Sequence, residues 1–128
     1  MATVTPKLAE AGQALRSFTR ALAKKSPTVI DRDAAILRFA YTCEAAWKAA
    51  KALLSERQGL DANSPKACVR LSRQVGWLND DQAEAALAMM DDRNLVVHTY
   101  NEALAMALSR RLAAHAKLLD AWIKGMKR

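Results

Sequence analysis

The stretch Arg93-Asn94-Leu95-Val96-Val97-His98-Thr99-Tyr100 places four side chains able to handle a phosphate within eight residues of a chain otherwise rich in Ala and Leu. Arg93 brings a permanent planar cation, and His98 brings an imidazole, the side chain that gives or takes a proton near neutral pH. Asn94 adds an amide and Tyr100 a phenol. Read as a helix, the segment separates into two adjacent stripes, Arg93, Val97 and Tyr100 on one, Asn94 and His98 on the next. A cation and a proton carrier on one side of one rod suit the handling of a phosphodiester. Taken alone, the cluster also fits a blander role. Arg93 could pair with Glu102 or with an Asp of its own helix, Tyr100 could pack its ring, and His98 could close a helix-end network. His115 serves as an internal control: it sits on an apolar stripe with Leu112 and Leu119, the setting of a packed, hydrogen-bonded histidine.

The elements that must carry these residues are legible as helices. Leu8, Ala11, Leu15, Phe18 and Leu22 recur every three or four residues, and Lys24-Lys25-Ser26-Pro27 ends that run. A second helix is predicted from near Asp31, which can cap it, through Ile36, Phe39, Cys43, Trp47, Ala50 and Leu54 to a stop at Gly59. Ser64-Pro65 reads as a cap followed by Pro at the first helical position of a short helix reaching about Val75, where Gly76 breaks it. Asn79 and Asp80 can cap the motif-bearing helix, predicted to run to about His98 with Ala83, Leu87, Met90 and Val97 inward. A last helix from about Asn101 aligns Leu104, Leu108, Leu112, His115, Leu119 and Trp122. Four long helices with short connections bury such stripes most simply as an all-α, antiparallel (up-and-down) four-helix bundle with one additional short helix. The chain reads as one domain, 1–128, with loose ends at about 1–5 and 125–128.

Composition narrows the function classes. A chain of 128 residues, 52% hydrophobic with four Gly and three Pro, can bury a sizeable core and is neither disordered nor all-β. Cys43 and Cys68 form no disulfide framework and read as small buried hydrophobes. With only His98 and His115 beside them, no cluster has metal-ligand spacing, so no metal and no cofactor are expected. No apolar run is long enough to span a bilayer and no secretory h-region opens the chain, which points to the cytoplasm. Twenty Lys and Arg against thirteen Asp and Glu give a net charge of +7. A basic field gathers polyanions without reading sequence, and a solvated helical face explains most single lysines equally well.

The spacing Arg93-x4-His98-x-Tyr100, with Asn94 directly after the Arg, resembles the signature of the HEPN superfamily. Within it, the chain is most similar to the HepT-like proteins, also called nucleotidyltransferase substrate-binding proteins. The likeness also rests on Arg32-Asp33-Ala34-Ala35-Ile36, Arg38-Phe39, Thr42, Glu44, Ala46, Trp47 and Lys48, on Asn63-Ser64-Pro65, and on Asp92 and Asn101-Glu102 flanking the motif. It covers roughly residues 8 to 122. Ala86 departs from it where many relatives carry a Trp, and the last helix lacks the Tyr that often follows the Asn-Glu pair.

The resemblance implies an endoribonuclease that works without metal, two protomers joining their motifs across a homodimer interface. His98 would then act as general acid or base, Arg93 would hold the scissile phosphate, and Asn94 would orient His98 or donate to a phosphate oxygen. HepT-like proteins are commonly paired with a minimal nucleotidyltransferase antitoxin that transfers AMP to the motif tyrosine, here Tyr100. The alternative the same family offers is a non-catalytic subunit that binds substrate or nucleotide for a two-component nucleotidyltransferase. A third reading is a structural bundle whose polar cluster only fixes dimer register.

Overall fold

The computed structural model describes residues 4–128. Its elements are α1 (Val4–Leu22), α2 (Val29–Gln58), α3 (Pro65–Gln74), α4 (Asp80–Leu95), a 3-10 turn (Val96–His98), α5 (Glu102–Ser109) and α6 (Leu112–Lys127). The described residues contain helices and connections only. Three long helices and the α5–α6 pair make the bundle, and α3 is the short addition. The 30-residue α2 is its axis, touching every other helix.

Local chemistry sets the boundaries. α2 starts at Val29, two residues earlier than the sequence suggests, because Thr28 rather than Asp31 is the cap. The Thr28 hydroxyl accepts from the Asp31 amide at 3.1 Å while the Asp31 carboxylate accepts from the Thr28 amide at 2.9 Å. That reciprocal pair satisfies two helix-end donors and holds the Asp31 carboxyl below its ordinary value. Gly59 closes α2 in the left-handed region at φ 63°. Ser64 and Pro65 open α3 as expected, and Asn79 opens α4 with Gln82 as its reciprocal partner.

Two predicted helices end differently from expectation. α4 stops at Leu95, and the chain tightens into the 3-10 turn before Thr99, whose hydroxyl donates to the Val96 carbonyl at 2.8 Å. Each residue of a 3-10 turn rotates about 120° rather than 100°, so Val97 swings outward and is 75% exposed instead of inward. Asn101 then caps α5. The single last helix is likewise broken at Arg110-Arg111 into α5 and α6. Ser109 donates its hydroxyl to the Met106 carbonyl, and Arg111 is drawn toward α4. Of the predicted stripe, Leu104 is half-buried, and Leu108, Leu112, His115, Leu119 and Trp122 stay buried across the break.

The core lies between α1, α2, α4 and α6, around Phe18, Phe39, Met89, Met90, Leu119 and Trp122. Trp122 buries its indole N–H by donating to Ser72 on α3 at 2.9 Å. Of the ends expected to be loose, residues 1–3 lie outside the described residues. The C-terminal end is held: α6 continues to Lys127, with Gly125 and Met126 buried. A Cβ at Gly125 would stand 2.3 Å from the Trp77 carbonyl oxygen, so glycine lets α6 pass that backbone at close range. Both cysteines are buried. Burial pushes the Cys43 thiol far up and the Cys68 thiol up to about 11, which leaves both as inert packing groups.

Candidate active site at the end of the fourth helix

Arg93 lies in the last turn of α4 and reaches across to the middle of α2. Its Nη2 donates to both oxygens of Glu44, at 2.7 and 2.9 Å, and its Nη1 donates to Asn94 Oδ1 at 3.2 Å. Trp47, one turn along α2, donates its indole N–H to the same two Glu44 oxygens at 3.0 Å each. The guanidinium is thus fixed by a carboxylate that is itself fixed from a third side. Glu102, one of the partners the sequence offered for Arg93, pairs instead with Arg32, whose bonds hold the Glu102 carboxyl below its usual value.

The residue before Arg93 faces the other way. Asp92 is 8% exposed and accepts from Arg111 Nε at 2.8 Å and from Arg111 Nη2 at 2.9 Å, while His115 Nε2 lies 2.6 Å from its Oδ2. Burial works against the charge on Asp92, but the bonds from Arg111 and His115 outweigh it and hold the carboxyl below the ordinary carboxylate range. The His115 ring is stacked on Phe39, centroids 5.0 Å apart, so the imidazole is a packed, bonded structural group, as its apolar stripe indicated. The final turn of α4 is therefore fastened on two sides, to α2 through Arg93 and to the α5–α6 junction through Asp92.

Arg93 and Asn94 form the divide between two open grooves. One, of about 320 Å³, is walled by Ala40, Tyr41 and Glu44 of α2 and by Val96 and Val97. The other, of about 230 Å³, is walled by Ser64, Pro65, Lys66 and Met90. His98 and Tyr100 line neither. They stand on the exposed turn just beyond α4, ring edge to ring face, centroids 6.1 Å apart, with Tyr100 86% exposed. The end of α4 at Leu95 undoes the two-stripe arrangement, and Asn94 accepts from Arg93 rather than turning to His98. Within one chain the structure brings Arg93 and Asn94 together and leaves His98 and Tyr100 side by side on the surface.

Sequence reasoning assigned no site role to Glu44, Trp47 or Asp92. A Glu followed three residues later by a Trp on α2 was a usable signal, since that spacing lets the indole reach the carboxylate. The partners of Asp92 lie 19 and 23 residues away, and no local pattern announces them. Among the described residues no group of three His, Cys, Asp or Glu could hold a metal ion. No described helix is long and apolar enough to cross a membrane.

The fold has counterparts among known proteins. A solved structure from Thermus thermophilus is 47% identical, covers 92% of this chain and 99% of its own, and superimposes with a TM-score of 0.87. A mutant of the toxin-antitoxin MntA-HpeT matches at 18% identity over 99% of this chain and 98% of its own, TM-score 0.80. The tri-AMPylated Shewanella oneidensis HEPN toxin in complex with MNT antitoxin matches at 19% identity over 97% and 96%, TM-score 0.77. At such identities the last two establish a shared fold and no more. No curated protein matches the chain. The family model described as nucleotidyltransferase substrate binding protein like matches residues 6–128, nearly the whole sequence. The chain belongs to that family.

Proposed function

We propose that this protein is a HEPN-type toxin, a metal-independent endoribonuclease that cuts single-stranded RNA as a homodimer in the cytoplasm. The observation that carries the reading is the Arg93 guanidinium, held on the divide between two open grooves, with an imidazole and a phenol exposed on the turn that follows its helix. Its bonds to Glu44 leave from Nη2 and its bond to Asn94 from Nη1, so Nε–H and a second Nη1 hydrogen stay available for phosphate oxygens.

In this reading the ribose 2′-oxygen attacks the adjacent phosphorus and the bond to the 5′-oxygen breaks, leaving a 2′,3′-cyclic phosphate and a 5′-hydroxyl. His98 takes the 2′ proton or returns one to the leaving oxygen, and Arg93 stabilises the charge that grows on the equatorial oxygens. Asn94, bonded to Arg93, steadies it. Because His98 lies outside the grooves that Arg93 lines, the two groups meet most directly across a two-fold interface, His98 of one protomer facing Arg93 of its partner. The exposed Val97 beside them gives such an interface an apolar element.

Tyr100 is the point of control. Its ring is exposed enough for a minimal nucleotidyltransferase antitoxin to transfer AMP from ATP to the phenolic oxygen, with pyrophosphate leaving. The attached phosphodiester would occupy Arg93 and block the cleft by bulk. The similar fold of an AMPylated toxin bound to its antitoxin supports this step. Co-expression with such a partner should add AMP-sized mass increments that vanish in Tyr100→Phe.

The family's description favours a second reading, in which the helical protein only binds substrate for a nucleotidyltransferase partner. His98→Ala separates the two. A nuclease variant keeps most RNA affinity and loses its cleavage rate, whereas a binding subunit leaves single-stranded RNA intact at neutral pH whether His98 is present or not.

A further inference from the structure

We propose that Tyr41, with Arg38 over its ring, is a stacking subsite for the nucleobase next to the phosphate held at Arg93. The proposal rests on the reading of this groove as a phosphodiester site and extends it to a residue to which that reading gives no role. Tyr41 is 51% exposed, a large aromatic surface that the core does not use. It walls the same groove as Arg93 and Glu44. The Arg38 guanidinium lies 5.8 Å from the ring centroid, within cation–π range, which steadies the ring and leaves its opposite face for another planar group.

The order of groups along α2 makes the occupant specific. Arg38, Tyr41 and Glu44 recur every three residues and form one row, and Glu44 ends it by binding Arg93. An aromatic face therefore stands one helical step from a fixed phosphate-binding cation, as a nucleotide sets its base beside its phosphate. An acidic peptide would use the cations and ignore the ring; a nucleic acid strand uses both. Stacking on a phenol accepts any base, so this subsite supplies affinity and register without selecting sequence by hydrogen bonds.

The test uses the full chain carrying His98→Ala, which keeps RNA whole, and a fluorescein-labelled oligoadenylate of about eight nucleotides, a length that one such groove can engage. Binding is read by fluorescence anisotropy beside an abasic ribose-phosphate strand of equal length. Tyr41→Ala and Tyr41→Leu should each weaken oligoadenylate binding by about five-fold or more, Tyr41→Phe should stay within about two-fold, and the abasic strand should bind all of them alike. Melting curves confirm folding, which an exposed side chain does not govern. Parent-like affinity in Tyr41→Leu overturns the proposal, as does an equal loss on the abasic strand. A change from dimer to monomer in Tyr41→Ala with affinity unaltered assigns the ring to a contact between copies, and also overturns it. Arg93→Ala reads the underlying claim separately: unchanged binding of both strands there sinks the phosphodiester reading itself, whatever Tyr41 does.

Discussion

Replacing Asp92 by Asn removes one charge from the fastening that fixes the last turn of α4. The amide fills the same space, but one of its two terminal atoms can no longer accept. Set in place of Oδ2, it faces both Arg111 Nε and His115; set in place of Oδ1, it faces Arg111 Nη2 alone, so the second orientation is favoured and at least one charge-assisted bond is lost. Bonds to charged groups contribute about 1.5–3 kcal/mol, and breaking a buried ion pair costs roughly 3–5 kcal/mol. Arg111 is 45% exposed and can return to water, so the lower end applies, about 2 kcal/mol. Over 128 residues an unfolding entropy of about 2.1 cal/mol/K per residue gives roughly 0.27 kcal/mol per kelvin, and Tm should fall by about 7 °C. Thermal denaturation followed by far-UV circular dichroism reads this directly. A variant melting within about 2 °C of the parent would refute the assignment of Asp92 as a structural fastener. The pH dependence supplies an independent check on the sign. The folded Asp92 carboxyl lies below its unfolded value of about 3.9, so its stabilisation is fully present above that pH and is lost as pH falls through the folded value. The gap in Tm between parent and Asp92→Asn should therefore close on acidification below about pH 4. A gap that closes on raising the pH instead contradicts the reasoning.

Glu44→Gln should lower kcat while also lowering KM for RNA, because Arg93 loses its orienting carboxylate as the phosphate site loses a nearby negative charge; steady-state kinetics with both constants unchanged would show Glu44 to be a bystander. Gly125→Ala should destabilise the fold by about 1–3 kcal/mol, since its methyl meets the Trp77 carbonyl and α6 must shift; urea denaturation with an unaltered midpoint would contradict the close approach. Thr28→Ala should cost about 1 kcal/mol through the lost cap of α2, measured the same way, and an effect no larger than that of an exposed mid-helix substitution would remove Thr28 from that role.

Much of this fold was legible because its boundaries are set by short-range chemistry. Ser64-Pro65, Asn79 and Gly59 mark helix ends by their own side chains or lack of one, and the stripe from Leu108 to Trp122 declared its buried face. Where expectation failed, a competing local bond or a distant partner decided. Thr28 outcompeted Asp31 as a cap because the two bond each other reciprocally. The tightening after Leu95 turned Val97 outward. The break at Arg110-Arg111 coincides with the pull of Asp92 on Arg111, a contact between residues 19 apart. The candidate site was readable as a set of residue types within one motif. That Glu44, itself bonded by Trp47, holds Arg93 follows from packing between α2 and α4, which no window of sequence contains, and that His98 stands apart from the groove follows from the end of α4 at Leu95.

The most direct measurement is cleavage of a single-stranded RNA, and of DNA of the same sequence, by the purified protein in EDTA at neutral pH, with His98→Ala and Arg93→Ala alongside. The expected result is RNA cut to fragments ending in 2′,3′-cyclic phosphate, DNA untouched, and loss of cleavage in both variants, with RNA binding retained in His98→Ala. RNA left intact by the parent protein, or cut equally well without His98, contradicts the assignment.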